Sequence, residues 1–127
     1  MPPSASLFDR ALPTRAAYRD VAPEAAHAAR GRVRLIDVRE PAEFVGELGH
    51  VPGAELVPLG TLATVARRWD HDAEIILICR SGARSARAAD ALCASGFRRV
   101  MNLAGGMLAY NAVQLPVERS ARVPDAT

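Results

Sequence analysis

The chain has 127 residues, half of them apolar and 5% aromatic, with a formal net charge of +2. That length and composition allow one domain around one sizeable core, packed by alanine and valine more than by rings. All 16 basic residues are arginine, scattered without forming a stripe or tail, which argues against nucleic-acid binding, and no run approaches the ~20 apolar residues of a membrane span.

Residues 1–14 are rich in Pro, Ser and Ala and read as a loose leader to a domain over 15–118, with 119–127 as a flexible tail. A short strand is expected at 18–21. Pro23 and Glu24 suit the first turn of a helix that runs to about Arg30, where Gly31 ends it. The β-branched run 33–38 predicts a buried strand. Pro41 opens a short helix over 40–44, and "GHVPGA" at 49–54 is turn chemistry. After a short strand at 55–58, "TLATVARRW" predicts an amphipathic helix with Thr61 as its N-cap. "EIILIC", residues 74–79, is the clearest strand in the chain. A helix over 85–95 closed by Gly96 follows, then a fifth strand at "RRVMNL" and a last helix at "GGMLAYNAV". Strands alternating with helices across short loops imply an α/β, three-layer fold: a five-stranded, mostly parallel sheet with helices on both faces. Ligands in such folds gather beyond the carboxyl ends of the strands, where Cys79 lies.

Cys79 is followed at once by Arg80, Ser81, Gly82, Ala83, Arg84 and Ser85. This loop leaves a strand and enters a helix N-terminus, whose amides lack internal partners. Gly82 can take a positive φ and curl the loop until N–H groups converge on one point. An anion there meets unpaired donors and the positive end of a helix, while Arg80 and Arg84 add charge and bidentate donors. The same field stabilises a thiolate, the reactive form of cysteine. A cysteine that merely ends a strand is often inert packing, but two arginines, a serine and a glycine are the wrong surroundings for a passive core. Cys79 is therefore the expected nucleophile and 80–85 the expected substrate-binding loop. Cys93, some ~12 Å into the helix at ~1.5 Å rise per residue, is too far for an easy bridge to Cys79 and reads as packing. Ala86, Ala89 and Cys93 are expected to form the helix face against the sheet. Two cysteines make no disulfide framework and the first residues hold no hydrophobic signal segment, so a reducing cytoplasm is the expected location.

Four blocks, "LIDVREPAEF", "GHVPGA", "CRSGARS" and "GGMLAY…LPV", stand in the order and at about the spacing found in single-domain rhodaneses, which the chain resembles from about Tyr18 to Val117. The resemblance implies strand order 3-2-4-5-1 and a thiosulfate sulfurtransferase. Cys79 would take the sulfane sulfur as a persulfide, cradled by the loop amides, and pass it to cyanide or a thiol. Arg80 and Arg84 would bind the sulfonate and stabilise the departing sulfite. No cofactor and no metal are implied. The family shares its fold with a class of dual-specificity phosphatases whose loop has five residues between Cys and Arg. Here only four stand between Cys79 and Arg84, and Ile78 replaces a His before the cysteine. The tighter loop suits sulfur better than a phosphoryl group.

Asp37, Arg39 and Glu43 match the family's acidic-basic pattern and are expected to support the site structurally. Asp37 would be a buried acceptor, and Arg39 would pair with Glu43 at i, i+4 or with Asp37. His50 matches the family's structural turn. His27 and His71 lie far from it in sequence, without zinc-type spacing. Trp69 is expected to close the edge of a helix, and Tyr110 stands where many relatives have Trp. Two other readings stand beside it: a protein-to-protein sulfur relay, which uses the same residues and adds a protein acceptor to the small-molecule partners, and a non-catalytic docking or sensor module, against which the retained Cys79 and its two arginines argue. No nucleic-acid or membrane partner is expected.

Overall fold

The computed structural model describes residues 6–120. Its two most apolar strands, β5 (Glu74–Ile78) and β6 (Arg99–Leu103), lie side by side in a six-stranded sheet. The others are β1 (Leu12–Pro13), β2 (Arg19–Val21), β3 (Arg34–Asp37) and β4 (Glu55–Leu56), and the order is β1-β2-β6-β5-β3-β4. All pairs are parallel except β1 with β2. Five of the strands follow the expected order 3-2-4-5-1, and β1 adds an antiparallel edge beyond β2.

Side chains alternate across the central strand, as the period of two requires. Ile75, Leu77 and Cys79 join the core under α4 (Leu62–Val65) and α5 (Ala83–Ala94). Ile76 and Ile78 join the opposite core, with Ala26 of α2 (Pro23–Ala28), Phe44 of α3 (Pro41–Phe44), and Met107 and Tyr110 of α6 (Gly106–Ala112). Both faces are thus covered, which is why β5 reads as an unbroken apolar run. No helix among the described residues is long and apolar enough to cross a membrane.

Several local expectations need correction. The described part of the expected leader is built: α1 (Leu7–Arg10) starts on a capping box, with the Asp9 amide donating to Ser6 Oγ at 3.1 Å and the Ser6 amide to the Asp9 carboxylate at 3.3 Å. Arg19 then lays its guanidinium 4.4 Å from the centre of the Phe8 ring. Residues 1–5 and 121–127 lie outside the described residues. The single helix expected over 61–69 is a 3₁₀ turn (Leu59–Thr61), one α turn, and a second 3₁₀ turn (Ala66–Arg68). Thr61 does not cap it, because its hydroxyl donates back to the Pro58 carbonyl at 2.9 Å. Helix α5 begins at Ala83, two residues before the expected start. Its buried stripe is Ser85, Ala88, Ala89 and Leu92, leaving Ala86 and Cys93 at the margin.

Candidate active site

β5 delivers Cys79 to the carboxyl edge of the sheet, and the chain turns at once into α5. The turn depends on Gly82, whose φ of +101° is left-handed. With that twist the Gly82 amide donates to Cys79 Sγ at 3.0 Å, and Ser85 Oγ stands 3.3 Å from the same sulfur. Cys79 is 1% exposed. Burial pushes its thiol up, but the Ser85 hydroxyl and the amides of Ser85, Gly82 and Ser81 outweigh burial and hold it below the ordinary thiol value. Ser81 and Ala83 face solvent on the outer side of the loop.

A second element fastens the loop. The Met107 amide donates to the Cys79 carbonyl at 2.9 Å and the Leu108 amide to the Arg80 carbonyl at 3.0 Å. So close an approach requires glycine at the start of α6: a Cβ on Gly106 would lie 2.5 Å from both the Cys79 and the Arg80 carbonyl oxygens. The second glycine of "GGMLAY" is thus a packing requirement of the loop.

The two loop arginines differ. Arg80 is exposed and forms no ion pair among the described residues. Arg84 is held by Glu43, its two terminal nitrogens donating to the two carboxylate oxygens at 2.8 Å each. The Arg84 guanidinium, outweighing burial, draws the Glu43 carboxyl down to about 2. Of the two partners expected for Arg39, Asp37 is the one it takes: Nε and Nη2 bond the Asp37 carboxylate at 2.9 and 2.8 Å. Its remaining donors reach the carbonyls of Glu43 and Gly49 at 3.2 and 2.7 Å. Arg39 precedes the first turn of α3, so helical i, i+4 geometry with Glu43 does not apply. Asp37 also accepts the Arg39 amide at 3.1 Å. His50 stacks on Phe44 with ring centres 3.6 Å apart, and its Nδ1 lies 2.7 Å from the Phe44 carbonyl. Together these contacts bind the 49–54 turn to α3, and α3 to the loop.

The other singled-out residues stand apart from this centre. His27 meets the Tyr110 hydroxyl at 3.0 Å, His71 packs against the Phe97 ring at 4.5 Å, and Trp69 meets the same ring edge-on. Cys93 is half-buried against the core, its thiol pushed up by burial and then by Asp90. Sequence reasoning missed Asn102, a buried amide near the end of β6 whose Oδ1 accepts from Ser85 Oγ at 2.5 Å. Its signal was a lone polar residue inside an apolar strand.

The rhodanese-like domain model matches residues 22–113. A sulfurtransferase of Allochromatium vinosum is 36% identical over 85 residues, 67% of this chain and 78% of that protein. A Bacillus subtilis protein provisionally designated a sulfur carrier, YrkF, is 39% identical over 75 residues, 59% of this chain and 40% of YrkF. The chain spans 20–58% of the length of the other curated relatives compared. Among solved structures, a rhodanese-related protein from Thermoplasma volcanium superposes with a TM-score of 0.73 at 24% identity, over 81% of this chain and all of that one. The chain belongs to the rhodanese-like domain family.

Proposed function

We propose that the chain is a sulfurtransferase that carries sulfane sulfur on Cys79, with thiosulfate as donor. The observation that carries this reading is the position of Cys79 Sγ, 3.0 Å from the Gly82 amide at a helix N-terminus and beside the Ser85 hydroxyl. The thiolate attacks the outer sulfur of thiosulfate, and the S–S bond of the donor breaks with its electron pair leaving on sulfite. The negative charge passes to the terminal sulfur of a Cys79 persulfide, where the loop amides receive it. Cyanide or a thiolate then attacks that terminal sulfur and the electron pair returns to Cys79, so the cycle closes without a redox partner. Arg80, exposed and without an ion pair among the described residues, is the cation available to the incoming sulfonate. Arg84 acts as a neutralised pair with Glu43 and shapes the rim. The chemistry needs Cys79 reduced, which a reducing cytoplasm supplies.

A relay between proteins uses the same persulfide, and the provisional sulfur-carrier designation of YrkF favours keeping it as the second reading. One experiment separates the two. The purified chain is incubated with thiosulfate, freed of donor, and weighed intact beside Cys79→Ser. Gain of one sulfur atom, absent from the variant and released by cyanide as thiocyanate, is the expected result. A folded chain that takes no sulfur from thiosulfate, but does from a protein persulfide, is a relay.

A further inference from the structure

Ser85 has one hydroxyl proton and three acceptors around it: Cys79 Sγ and the Gly82 carbonyl, both at 3.3 Å, and Asn102 Oδ1 at 2.5 Å. Only one of these bonds exists at a time. The orientation of the Asn102 amide is settled by its other contacts. Nδ2 donates to the Gly82 carbonyl at 3.3 Å and to Asp20 Oδ1 at 3.4 Å, both pure acceptors, so the oxygen must face Ser85. Asn102 is 5% exposed, so water does not readily replace Ser85 as its donor.

We propose that Asn102 is a positioning residue that competes with Cys79 for the Ser85 proton, making the hydroxyl a rotor that follows the charge on the sulfur. With Cys79 a neutral thiol, the short bond to Asn102 holds the proton. When the thiolate forms, a charge-assisted bond to sulfur, roughly twice as strong as a neutral one, draws it away and leaves Asn102 Oδ1 without its donor. In the persulfide the charge sits on the terminal sulfur, Sγ becomes a neutral bridging atom, and the proton returns to Asn102. Asn102 thereby opposes thiolate formation in the resting site and favours the loaded one. Asp20 contributes at one remove, by keeping the amide from flipping. The proposal rests on Cys79 being the sulfur-carrying residue, but the thiol midpoints that test it need no sulfur transfer.

The test is the pH midpoint of the Cys79 thiolate, read by ultraviolet absorbance against a Cys79→Ser control. Asn102→Leu removes the competing acceptor at similar volume, and the midpoint should fall by roughly one pH unit, the worth of the neutral hydrogen bond that thiolate formation no longer has to break. Ser85→Ala should raise the midpoint by a similar amount, and adding Asn102→Leu to it should then change nothing. A midpoint that stays or rises in Asn102→Leu, or a fall that persists without Ser85, overturns the proposal. The unmodified chain supplies a second readout that depends on no variant at Asn102. The side-chain amide resonances of Asn102 should titrate with the Cys79 midpoint and return to their thiol-state positions on loading with sulfur; a flat titration overturns the proposal equally. If the chain accepted no sulfur from any donor, the thiol midpoints would still respond as described, so failure of the sulfurtransferase reading is distinguishable from failure of this one.

Discussion

A buried thiol is reactive only to the extent that donors outweigh its burial, and at Cys79 those donors are the Ser85 hydroxyl and the loop amides that backbone geometry turns onto the sulfur. Gly82 turns its amide onto the sulfur, and Gly106 lets the start of α6 close onto the Cys79 and Arg80 carbonyls. Gly106→Ala tests the second device. The new methyl would sit 2.5 Å from two carbonyl oxygens on a residue whose φ is +59°. We expect a loss of about 1–3 kcal/mol in urea unfolding and slower loading of Cys79 with sulfur. Unchanged loading in the folded variant would show that α6 does not set the loop. At this scale Cys79 and Gly82 were legible in the sequence because cysteine and glycine announce themselves by type. Asn102 was not, because nothing in "RRVMNL" reveals that its amide meets a serine seventeen positions earlier.

Between elements, the bond that matters most is the one joining α3 to the head of α5. Glu43 and Arg84 are each about a third exposed, at 32% and 31%, so the pair contributes modestly, about 1 kcal/mol or less. Its titration has a definite sign. Glu43 falls from an ordinary 4.5 to about 2 in the folded chain, so the stabilisation is complete above the ordinary value and lost as pH drops toward about 2. Acid unfolding of the wild type and Glu43→Gln should therefore converge through that window, with the wild type ahead only above it. A constant offset down to pH 2 would exclude the ion pair as the cause. The same variant releases Arg84 to face an incoming anion, so under the proposed reaction with thiosulfate the KM should fall several-fold. The sequence offered Arg39 two partners but left Arg84 to the substrate. Pairing across 41 positions depends on how α3 is docked, and no local spacing records that.

At the scale of the whole molecule, the parallel sheet was legible because each central strand is buried on both faces and reads as an apolar run bounded by turn residues. What escaped was short or irregular: the two residues of β1, the single turn of α1, and the 3₁₀ turns that break the helix expected at 61–69. Such pieces are too brief for periodicity to register. One buried ion pair ties distant parts of this architecture together, since Arg39 joins the end of β3 to both α3 and the 49–54 turn from a position 1% exposed. Asp37→Asn leaves that guanidinium without its counter-charge and should destabilise the chain by about 3–5 kcal/mol in urea unfolding. Loss of less than about 1 kcal/mol would mean that the two carbonyls suffice to hold Arg39.

The fastening of Cys79 and Arg80 to Met107 and Leu108 bears on how such a loop can change its cargo. An inserted residue would enter a segment whose near end is tied to α6 and whose far end is already the first turn of α5, so the added length has to bulge between two fixed ends. Redesign toward a larger group is then a problem of two sites at once, the loop itself and the β6–α6 corner beneath it.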